Sequence, residues 1–269
     1  MLLAVDCGNT NMVFALYDDD IQQANWRIST DPKRSAEEYL VWLSQLMSLN
    51  SISVEEISEI IIANVVPEVQ PNLMCLAKRG FGLVPKVIGE DNIDLGIKVN
   101  IDAPDQAGAD RLVNAVAARD LYTLPTIILD FGTATTFDLV SKEGSYEGGI
   151  IAPGVNLSLE ALYLAAARLP RLTVGPWQAD MPILGKDTIS AMHSGIFWGY
   201  VSMVDGLIER LRREHGAGLS AIATGGLAPL FAEHVKSISV VDTDLTLKGL
   251  VRIHAQNKSQ RYRENSGEK

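Results

Sequence analysis

Two stretches of the chain, residues 1–17 and 126–140, share one pattern of apolar and polar positions. Each opens with a run of apolar residues that ends on an acid, Asp6 or Asp130, and turns through a glycine two residues later. Each then continues as a second, mainly apolar stretch. An apolar run bounded by turn residues is typical of a buried strand, so each stretch is predicted to be a hairpin with a carboxylate at its rim. The repeat indicates a duplicated domain.

The rest of the pattern predicts the same plan in both halves, with strands in consecutive hairpins followed by helices that alternate with strands. The predicted strands are 57–66, 81–88, 125–130, 133–141, 146–152, 220–224 and 237–241, besides three strands within residues 1–30. The predicted helices are 35–49, 67–79, 106–120, 155–168, 187–214, 227–234 and 244–256. We expect an α/β fold with one mixed sheet in each of two domains, 1–118 and 119–256, followed by a polar tail over 257–269.

The overall composition limits the kinds of molecule that the protein is expected to bind. The formal net charge is −10 and the isoelectric point is about 4.9, so a broad surface for nucleic acid or an anionic membrane is not expected. The two cysteines, Cys7 and Cys75, cannot form a disulfide framework. No apolar stretch reaches the roughly 20 residues of a membrane-spanning helix. We therefore expect a cytoplasmic globular protein with neither a membrane nor a nucleic acid as its partner.

Three glycine turns, 6–10, 130–133 and 224–226, follow predicted strand ends. Glycine lets backbone N–H groups approach a ligand closely, and a tight turn presents several of them to an anion such as phosphate. Asp6 and Asp130 would repel a phosphate, but each can hold a cation that binds one. A single turn of this kind is most simply a tight hairpin without a ligand. Two matched turns and a third in the same chain favour cation-assisted nucleotide binding.

The sequence Gly108-Ala109-Asp110-Arg111 lies at the start of a predicted helix, after the irregular stretch 89–106. A long loop before such a motif is a candidate for substrate contact. Asp110 could accept a proton from a substrate hydroxyl, as phosphoryl transfer requires. It could equally be an acid of the first helical turn in a salt bridge with Arg111. The spacing alone does not separate these two interpretations.

Other phosphate- and metal-binding signatures are missing from the sequence. It contains no G-x-x-x-x-G-K-[ST] phosphate loop, no G-x-G-x-x-G that opens a helix, and no H-E-x-x-H or C-x-x-C. The four histidines are scattered over the predicted C-terminal helices. We therefore expect neither a Rossmann-type dinucleotide site nor a zinc site.

Five motifs occur in an order that resembles the type III pantothenate kinases. They are Asp6-Cys7-Gly8-Asn9-Thr10, Gly108-Ala109-Asp110-Arg111, Asp130-Phe131-Gly132-Thr133-Ala134-Thr135, Gly148-Gly149-Ile150-Ile151-Ala152-Pro153-Gly154 and Thr224-Gly225-Gly226. The resemblance covers about residues 1–256. It implies membership of the superfamily of acetate kinase, sugar kinases, Hsp70 and actin, which is built from two ribonuclease H-like domains with an ATP cleft between them.

The resemblance implies ATP-dependent phosphorylation of the terminal hydroxyl of pantothenate, the first committed step of coenzyme A synthesis. Asp110 would be the catalytic base. Pantothenate would be contacted by Gly108, Ala109, Asp110, Arg111 and Ile101, and by Thr188 from the facing subunit of a homodimer. ATP would be bound by Asp6, Cys7, Gly8, Asn9, Thr10, Asn11, Met12, Val13 and Thr133.

The same resemblance implies two kinds of cation and includes two departures from the family pattern. Asp130 would bind a monovalent cation, K⁺ or NH₄⁺. Mg²⁺ would accompany ATP and be bound by Asp6, directly or through water.

Ile101 stands where family members often have a tyrosine in the pantothenate pocket, so it supplies apolar contact but neither ring nor hydroxyl. Cys7 stands where isoleucine or valine is common, and we expect a small apolar strand residue rather than a nucleophile.

A non-enzymatic regulator is the alternative from another class, because some proteins of this fold are described as transcriptional accessory factors. The presence of Asp6, Asp110 and Asp130, without a basic patch or a DNA-reading motif, favours the enzyme. A kinase or phosphatase that acts on acetate, a sugar or a polyphosphate is a further alternative, which the fold alone does not exclude. The Gly-Ala-Asp-Arg motif argues against it.

Overall fold

The computed structural model describes residues 1–90, 93–166 and 168–266, with side chains described up to residue 259. The contacts divide the chain into two compact units. The first consists of Met1–Ile97, Ala103–Asp120 and Thr246–Lys269, and the second of Lys98–Asp102 and Leu121–Leu245. The strands are β1 (Leu2–Cys7), β2 (Asn11–Asp18), β3 (Ile21–Ser29), β4 (Glu59–Asn64), β5 (Lys86–Val87), β6 (Thr126–Phe131), β7 (Ala134–Val140), β8 (Tyr146–Pro153), β9 (Ser220–Thr224) and β10 (Val240–Val241). The α-helices are α1 (Ala36–Leu49), α2 (Gln70–Cys75), α3 (Ala109–Leu121), α4 (Val155–Ala165), α5 (Thr188–His215), α6 (Ala228–Ala232) and α7 (Leu245–Ser266).

The first unit contains a five-stranded mixed sheet in the order β3-β2-β1-β4-β5. β2 pairs antiparallel with β1 and with β3, whereas β4 lies parallel to β1 and β5 parallel to β4. Because side chains alternate along a strand, β1 contributes to both faces of the sheet. Leu3 and Val5 pack with α1 and α2 on one side, and Leu2 and Ala4 pack with α3 and α7 on the other. The same alternation places Asp6 on the α3 side, at the carboxyl end of β1.

The second unit contains a five-stranded mixed sheet in the order β10-β9-β6-β7-β8. β7 pairs antiparallel with β6 and with β8, whereas β9 lies parallel to β6 and β10 parallel to β9. Leu129 and Phe131 of β6 pack with α4, α5 and α6 in one apolar cluster, which also contains the buried rings of Phe197 and Phe231. Asp130, between Leu129 and Phe131, therefore lies on the other face of this sheet.

The two sheets have the same topology, strand for strand. β1 to β5 correspond to β6 to β10 in sequence order, in direction and in pairing. The predicted duplication and the predicted α/β fold with a mixed sheet in each half are therefore confirmed. In each sheet three antiparallel strands are followed by two parallel ones, which is the ribonuclease H-like arrangement.

Most of the predicted elements are present, and several of them differ in extent. The predicted helix 67–79 is divided into a 3₁₀ turn at Pro67–Val69, the short helix α2 and a π-type turn at Leu76–Gly80. Pro71 lacks the amide hydrogen that a continuous helix would donate to the carbonyl of Pro67, so the backbone starts a new turn there. The predicted strands 81–88 and 237–241 are reduced to two residues each, at the edges of their sheets.

Helix α7 is the largest departure from the predicted domain boundaries. By its contacts it belongs to the first unit, whereas residues 244–256 were predicted to lie in the second domain. Gly249 packs against α3, where a Cβ would lie 2.7 Å from Cγ1 of Val113. Leu250 is fully buried in the cluster that covers the α3 side of the first sheet. The helix also continues to Ser266, through most of the predicted polar tail.

Some predicted segments fall partly outside the described residues. These are residues 91 and 92 of the irregular stretch, residue 167 of the predicted helix 155–168, and residues 267–269 of the tail. Within residues 1–90, 93–166 and 168–266, none of the helices combines the length and the hydrophobicity needed to span a bilayer.

Candidate active site

The turn between β1 and β2 is the first of the predicted phosphate-binding turns. The Gly8 N–H donates a hydrogen bond to the carbonyl of Asn11 at 3.0 Å, which closes the turn. The three side chains after the glycine point away from the core and are exposed to solvent. They belong to Asn9, Thr10 and Asn11. A ligand in front of this turn can therefore reach two amide groups and one hydroxyl group.

Thr30 fixes the segment after β3 to this turn. Its hydroxyl donates to the carbonyl of Gly8 at 2.6 Å, and its N–H donates to the carbonyl of Thr10 at 3.0 Å. Thr30 was not predicted as a site residue, because neither a motif nor a periodicity marks it in the sequence.

Two residues of the predicted ATP-binding loop have side chains in the core. Cys7 and Met12 are fully buried, so a nucleotide can contact only their backbone atoms. Burial and the neighbouring Asp6 raise the pKa of the Cys7 thiol to about 12. Because the thiolate is the reactive form, Cys7 is inert at neutral pH, as expected for an apolar strand residue.

Asp6 and Asp110 lie close enough for the charge of one to affect the other. The pKa of Asp6 is raised to about 7, with burial as the largest cause and repulsion by Asp110 as the second, while Arg27 acts in the opposite direction. Asp6 is therefore only partly ionised near neutral pH, and a cation beside it would favour the ionised form. The first predicted turn and the predicted base thus come together within one unit.

Asp110 lies in the first turn of α3. Its Oδ1 accepts a hydrogen bond from the backbone N–H of Arg111 at 2.8 Å. Gly108 leaves room for this carboxylate, because a Cβ at Gly108 would lie only 2.6 Å from the same oxygen. Both Asp110 and Arg111 are half-buried, so they are fixed by the helix and still open to a ligand.

The turn between β6 and β7 is the second predicted turn, and it is one residue shorter than the first. It spans residues 132–134, because Phe131 pairs with Thr135 across the hairpin. The turn between β1 and β2 spans residues 8–11. The two hairpins therefore match residue for residue as far as Gly8 and Gly132, and they differ by one residue after these glycines. Thr133 is exposed in the shorter turn.

The third glycine turn packs against Asp130. Thr224 of β9 is the parallel partner of Asp130 in the sheet. Gly225 has a φ of 88°, and a Cβ there would overlap Oδ1 of Asp130 and lie 2.7 Å from the carbonyl oxygen of Phe131. A carboxylate oxygen and a carbonyl oxygen thus converge on the side of Gly225 where a side chain would be. Two of the three predicted turns therefore adjoin in the second unit.

The glycine-rich stretch 148–154 supports this turn at one end and Ile101 at the other. A Cβ at Gly154 would lie 2.8 Å from the carbonyl oxygen of Gly132, so only glycine lets the two segments approach this closely. Cγ2 of Ile101 lies 3.3 Å from the position that a Cβ on Gly148 would take. Residues 98–102 are held there by β8, because the N–H of Asn100 donates to the carbonyl of Tyr146 at 2.8 Å.

Thr188 is the first residue of α5, and its side chain is exposed. The carboxylate of Asp187 caps this helix by accepting the N–H of Ser190 at 2.9 Å. Asp187, Thr188 and Ser190 therefore have fixed backbone positions at the helix start.

The loop before α5 is attached to the first turns of that helix, which the sequence analysis did not foresee. Nε2 of His193 lies 3.0 Å from the carbonyl oxygen of Gly175, and the hydroxyl of Ser194 donates to the carbonyl of Ile183. The ring of Trp177 stacks on that of His193 at a centroid distance of 5.5 Å. The aromatic residues were a visible signal, but their spacing in the sequence matches no periodic pattern.

A sequence profile of the type III pantothenate kinases matches residues 2–210 of the chain. The chain belongs to the type III pantothenate kinase family. Two curated type III pantothenate kinases are similar to it over nearly their whole lengths. The protein from Paramagnetospirillum magneticum is 52% identical over 259 residues, which cover 96% of this chain and 98% of that protein. The protein from Rhodospirillum rubrum is 54% identical over 258 residues, which cover 96% and 99%.

Solved structures share the fold of this type III pantothenate kinase at low sequence identity. A protein from Campylobacter jejuni, described as a Baf family transcriptional activator, superposes with a TM-score of 0.58 at 18% identity and covers 96% of this chain and 99% of its own. A protein from Sinorhizobium meliloti, described as a 2-dehydro-3-deoxygalactonokinase, superposes with a TM-score of 0.57 at 14% identity, with 95% and 96% covered. These likenesses concern the fold alone.

The acidic side chains of this type III pantothenate kinase fit the cations that its family resemblance implies. Oδ1 of Asp130 and the carbonyl oxygen of Phe131 converge beside Gly225, and hard cations are bound by oxygen atoms of these kinds. Asp6 offers one carboxylate, which suits Mg²⁺, since Mg²⁺ keeps several waters and takes one or two carboxylates together with substrate phosphates. Among the side chains that the structure describes, no group of three or more acids, histidines or cysteines could enclose a metal ion. The remaining ligands would therefore be backbone, water or phosphate oxygens.

Proposed function

We propose that this protein transfers the γ-phosphate of ATP to the terminal hydroxyl of pantothenate and forms 4′-phosphopantothenate, the first committed step of coenzyme A synthesis. The observation that carries the proposal is Asp110 at the start of α3 beside Asp6, in a chain of the type III pantothenate kinase family. Phosphoryl transfer to an alcohol requires a group that accepts the hydroxyl proton and cations that neutralise the phosphates. Asp110 and Asp6 are suited to these two tasks.

Asp110 acts as the general base. The hydroxyl oxygen of pantothenate attacks the γ-phosphorus, the hydroxyl proton passes to the carboxylate of Asp110, and the bond between the γ-phosphorus and ADP breaks. The hydrogen bond from the N–H of Arg111 holds the carboxylate in one orientation, so the hydroxyl can be aligned with the phosphorus. Gly108, Ala109 and Arg111 contact pantothenate around the base, and the guanidinium of Arg111 stabilises negative charge.

The first hairpin binds the triphosphate. The Gly8 N–H closes the turn, so the other N–H groups of the turn and the exposed side chains of Asn9, Thr10 and Asn11 donate to phosphate oxygens. The rest of the stretch from Asp6 to Val13 contributes backbone atoms, and Thr133 of the second turn adds a hydroxyl. Asp6 would hold Mg²⁺, directly or through water, and Asp130 would hold K⁺ or NH₄⁺. When bound, these cations would neutralise phosphate charge.

The protein acts as a homodimer. Seven large apolar side chains in α4 and around the start of α5 are exposed, and groups of this kind mark protein interfaces. They are Leu157, Leu162, Tyr163, Leu164, Ile183, Leu184 and Ile189. An interface that covers Ile189 includes its neighbour Thr188, which then reaches pantothenate in the partner subunit. Ile101 forms an apolar wall of the pantothenate pocket.

The protein acts in the cytoplasm, and the molecules that it binds are small. A net charge of −10 disfavours nucleic acids and anionic membranes as partners. The alternative of a non-enzymatic transcriptional accessory protein has no support from a basic surface, and membership of a kinase family weighs against it.

The proposed activity is tested by incubating the purified protein with pantothenate, ATP, Mg²⁺ and K⁺. Mass spectrometry should detect 4′-phosphopantothenate in amounts equal to the ADP that is formed. Acetate and glucose, tested in parallel as acceptors, should remain unphosphorylated. ATP consumption without phosphorylated pantothenate, or equal transfer to acetate or glucose, would contradict the proposal.

A further inference from the structure

Asp6, Val13 and Arg27 form one row across three neighbouring strands. Asp6 of β1 pairs with Val13 of β2, and Val13 pairs with Arg27 of β3. Directly paired residues of antiparallel strands project to the same face of a sheet. Paired Cα atoms are about 5 Å apart, so the Cα atoms of Arg27 and Asp6 are about 10 Å apart. Arg27 therefore flanks Asp6 on the α3 side of the first sheet.

On the α3 side of the first sheet, charged side chains replace apolar ones at the row that contains Asp6 and Arg27. Leu2 and Ala4, which precede Asp6 on the same face of β1, belong to the core under α3 and α7. Asp6 itself is influenced by charges of both signs, since Asp110 and Arg27 affect it in opposite directions. Arg27 thus lies within electrostatic reach of Asp6, which is itself within reach of Asp110.

The guanidinium of Arg27 remains available to a ligand. Arg27 is exposed, and within the part of the chain that the structure describes it forms neither an ion pair nor a hydrogen bond. The neighbouring Arg34, in contrast, donates to the carbonyl of Ser29 at 2.8 Å and lies over the ring of Tyr39. A guanidinium offers five N–H donors and can pair with a phosphate through two of them at once.

Arg27 is also attached to the turn that is proposed to bind phosphate. Thr30, three residues further along the chain, donates hydrogen bonds to the carbonyls of Gly8 and Thr10 in that turn. Arg27 is therefore connected to the turn through the end of β3 and Thr30. An anion that contacts the turn on the Asp6 side lies within range of the arginine.

We propose that Arg27 binds a phosphate group of ATP and offsets the negative charges of Asp6 and Asp110. The inference rests on the proposed function, because the triphosphate is its ligand. A triphosphate brought beside two carboxylates is repelled by both, and a nearby guanidinium reduces that repulsion. The carboxylate of pantothenate is the other anion of the reaction. The connection between Arg27 and the phosphate-binding turn favours the triphosphate.

The test compares binding of a non-hydrolysable ATP analogue with Mg²⁺ to wild type, Arg27→Gln and Arg27→Lys by calorimetry. Arg27→Gln should weaken binding about tenfold or more, since a charge-assisted hydrogen bond is lost. Arg27→Lys should have a smaller effect, because lysine keeps the charge but not the planar fork. Binding of adenosine, which has no phosphate, should be unchanged. Arg79→Gln removes the same charge from an exposed arginine that faces Glu37, and this control should bind like wild type.

Steady-state kinetics give the second readout. Arg27→Gln should raise KM for ATP and leave KM for pantothenate unchanged. Equal affinity of wild type and Arg27→Gln for the analogue would overturn the inference. So would a rise in KM for pantothenate alone, which would assign Arg27 to the substrate carboxylate. If wild type binds the analogue but does not phosphorylate pantothenate, the proposed function fails, and the binding comparison still decides the role of Arg27.

Discussion

The carboxylate of Asp130 lies against Gly225, a residue with a φ of 88°. A side chain at Gly225 would overlap Oδ1 of Asp130, and L-residues rarely adopt this backbone conformation. Glycine at this position therefore leaves room for the carboxylate of Asp130, which we propose binds K⁺ or NH₄⁺. The proposed cation site thus depends on two strands, β6 and β9, rather than on the second hairpin alone.

We expect Gly225→Ala to weaken activation by K⁺ about tenfold or more, because the displaced carboxylate no longer binds the cation well. The free energy of unfolding should fall by about 1–3 kcal/mol, because alanine is strained at this φ. A K⁺ titration of activity and urea denaturation measure the two effects. Gly218→Ala is the matched control, since no atom lies within 4 Å of a Cβ there. A folded Gly225→Ala protein with wild-type K⁺ dependence would contradict the assignment of the cation to Asp130.

The raised pKa of Asp6 predicts a pH-dependent loss of stability in the ligand-free protein. Asp6 ionises near 3.8 in the unfolded chain and near 7 in the folded one, so the unfolded state binds fewer protons between these values. Stability from this group therefore falls as the pH rises from about 4 to about 7, and stays low above that. Asp6→Asn should stabilise the protein at pH 8 by on the order of 1–3 kcal/mol, and the advantage should shrink towards pH 4.

Urea denaturation at several pH values without ligands measures this effect. Asp105→Asn, at an exposed acid of the same unit, is the control and should show no such advantage. If Asp6→Asn is no more stable than wild type at pH 8, Asp6 is ionised in the folded protein without cost. Asp6 would then carry its charge without a neighbouring cation, and the proposed Mg²⁺ at this residue would lose its support.

The proposed homodimer predicts that charges in the exposed apolar region dissociate the protein. The double substitution Ile183→Asp and Leu184→Asp places two like charges where 65% and 80% of the side chains are exposed in the single chain. We expect a monomer that has lost activity, because Thr188 no longer reaches the partner's substrate. Val84→Asp changes a side chain that is 85% exposed in the first unit, and should remain dimeric and active.

Analytical ultracentrifugation and the kinase assay distinguish the outcomes. A double variant that stays dimeric would show that the interface lies elsewhere. A monomeric variant with full activity would refute the contribution of Thr188 from the facing subunit.

The local parts of the fold were predictable from the sequence because their signals are local. The apolar runs that end on Asp6 and Asp130 identify both hairpins, and the acid after Gly108 identifies the start of α3. The repeated pattern also predicts two similar sheets. In each case the deciding residues are within a few positions of one another, so strand alternation or helix-start chemistry is sufficient to place them.

The remaining features depend on contacts between distant segments, which a single sequence does not reveal. The packing of Gly225 on Asp130 requires the parallel pairing of β6 with β9. The grouping of α7 with the first unit depends on the approach of Gly249 to Val113. Thr30 and His193 act through hydrogen bonds to backbone carbonyls, and such bonds leave no compositional pattern. The one-residue difference between the two hairpin turns became visible only through the strand register.

The central claim is that Asp110 removes the hydroxyl proton of pantothenate during phosphoryl transfer from ATP. Single-turnover transfer measured by rapid quench with Asp110→Asn tests it most directly, since asparagine can still accept the N–H of Arg111 but cannot take a proton. We expect the transfer rate to fall by about 10²–10⁴-fold, with an unchanged circular dichroism spectrum and no loss of affinity for the ATP analogue. The exposed control Asp105→Asn should transfer at the wild-type rate. A folded Asp110→Asn protein that phosphorylates pantothenate as fast as wild type would contradict the account.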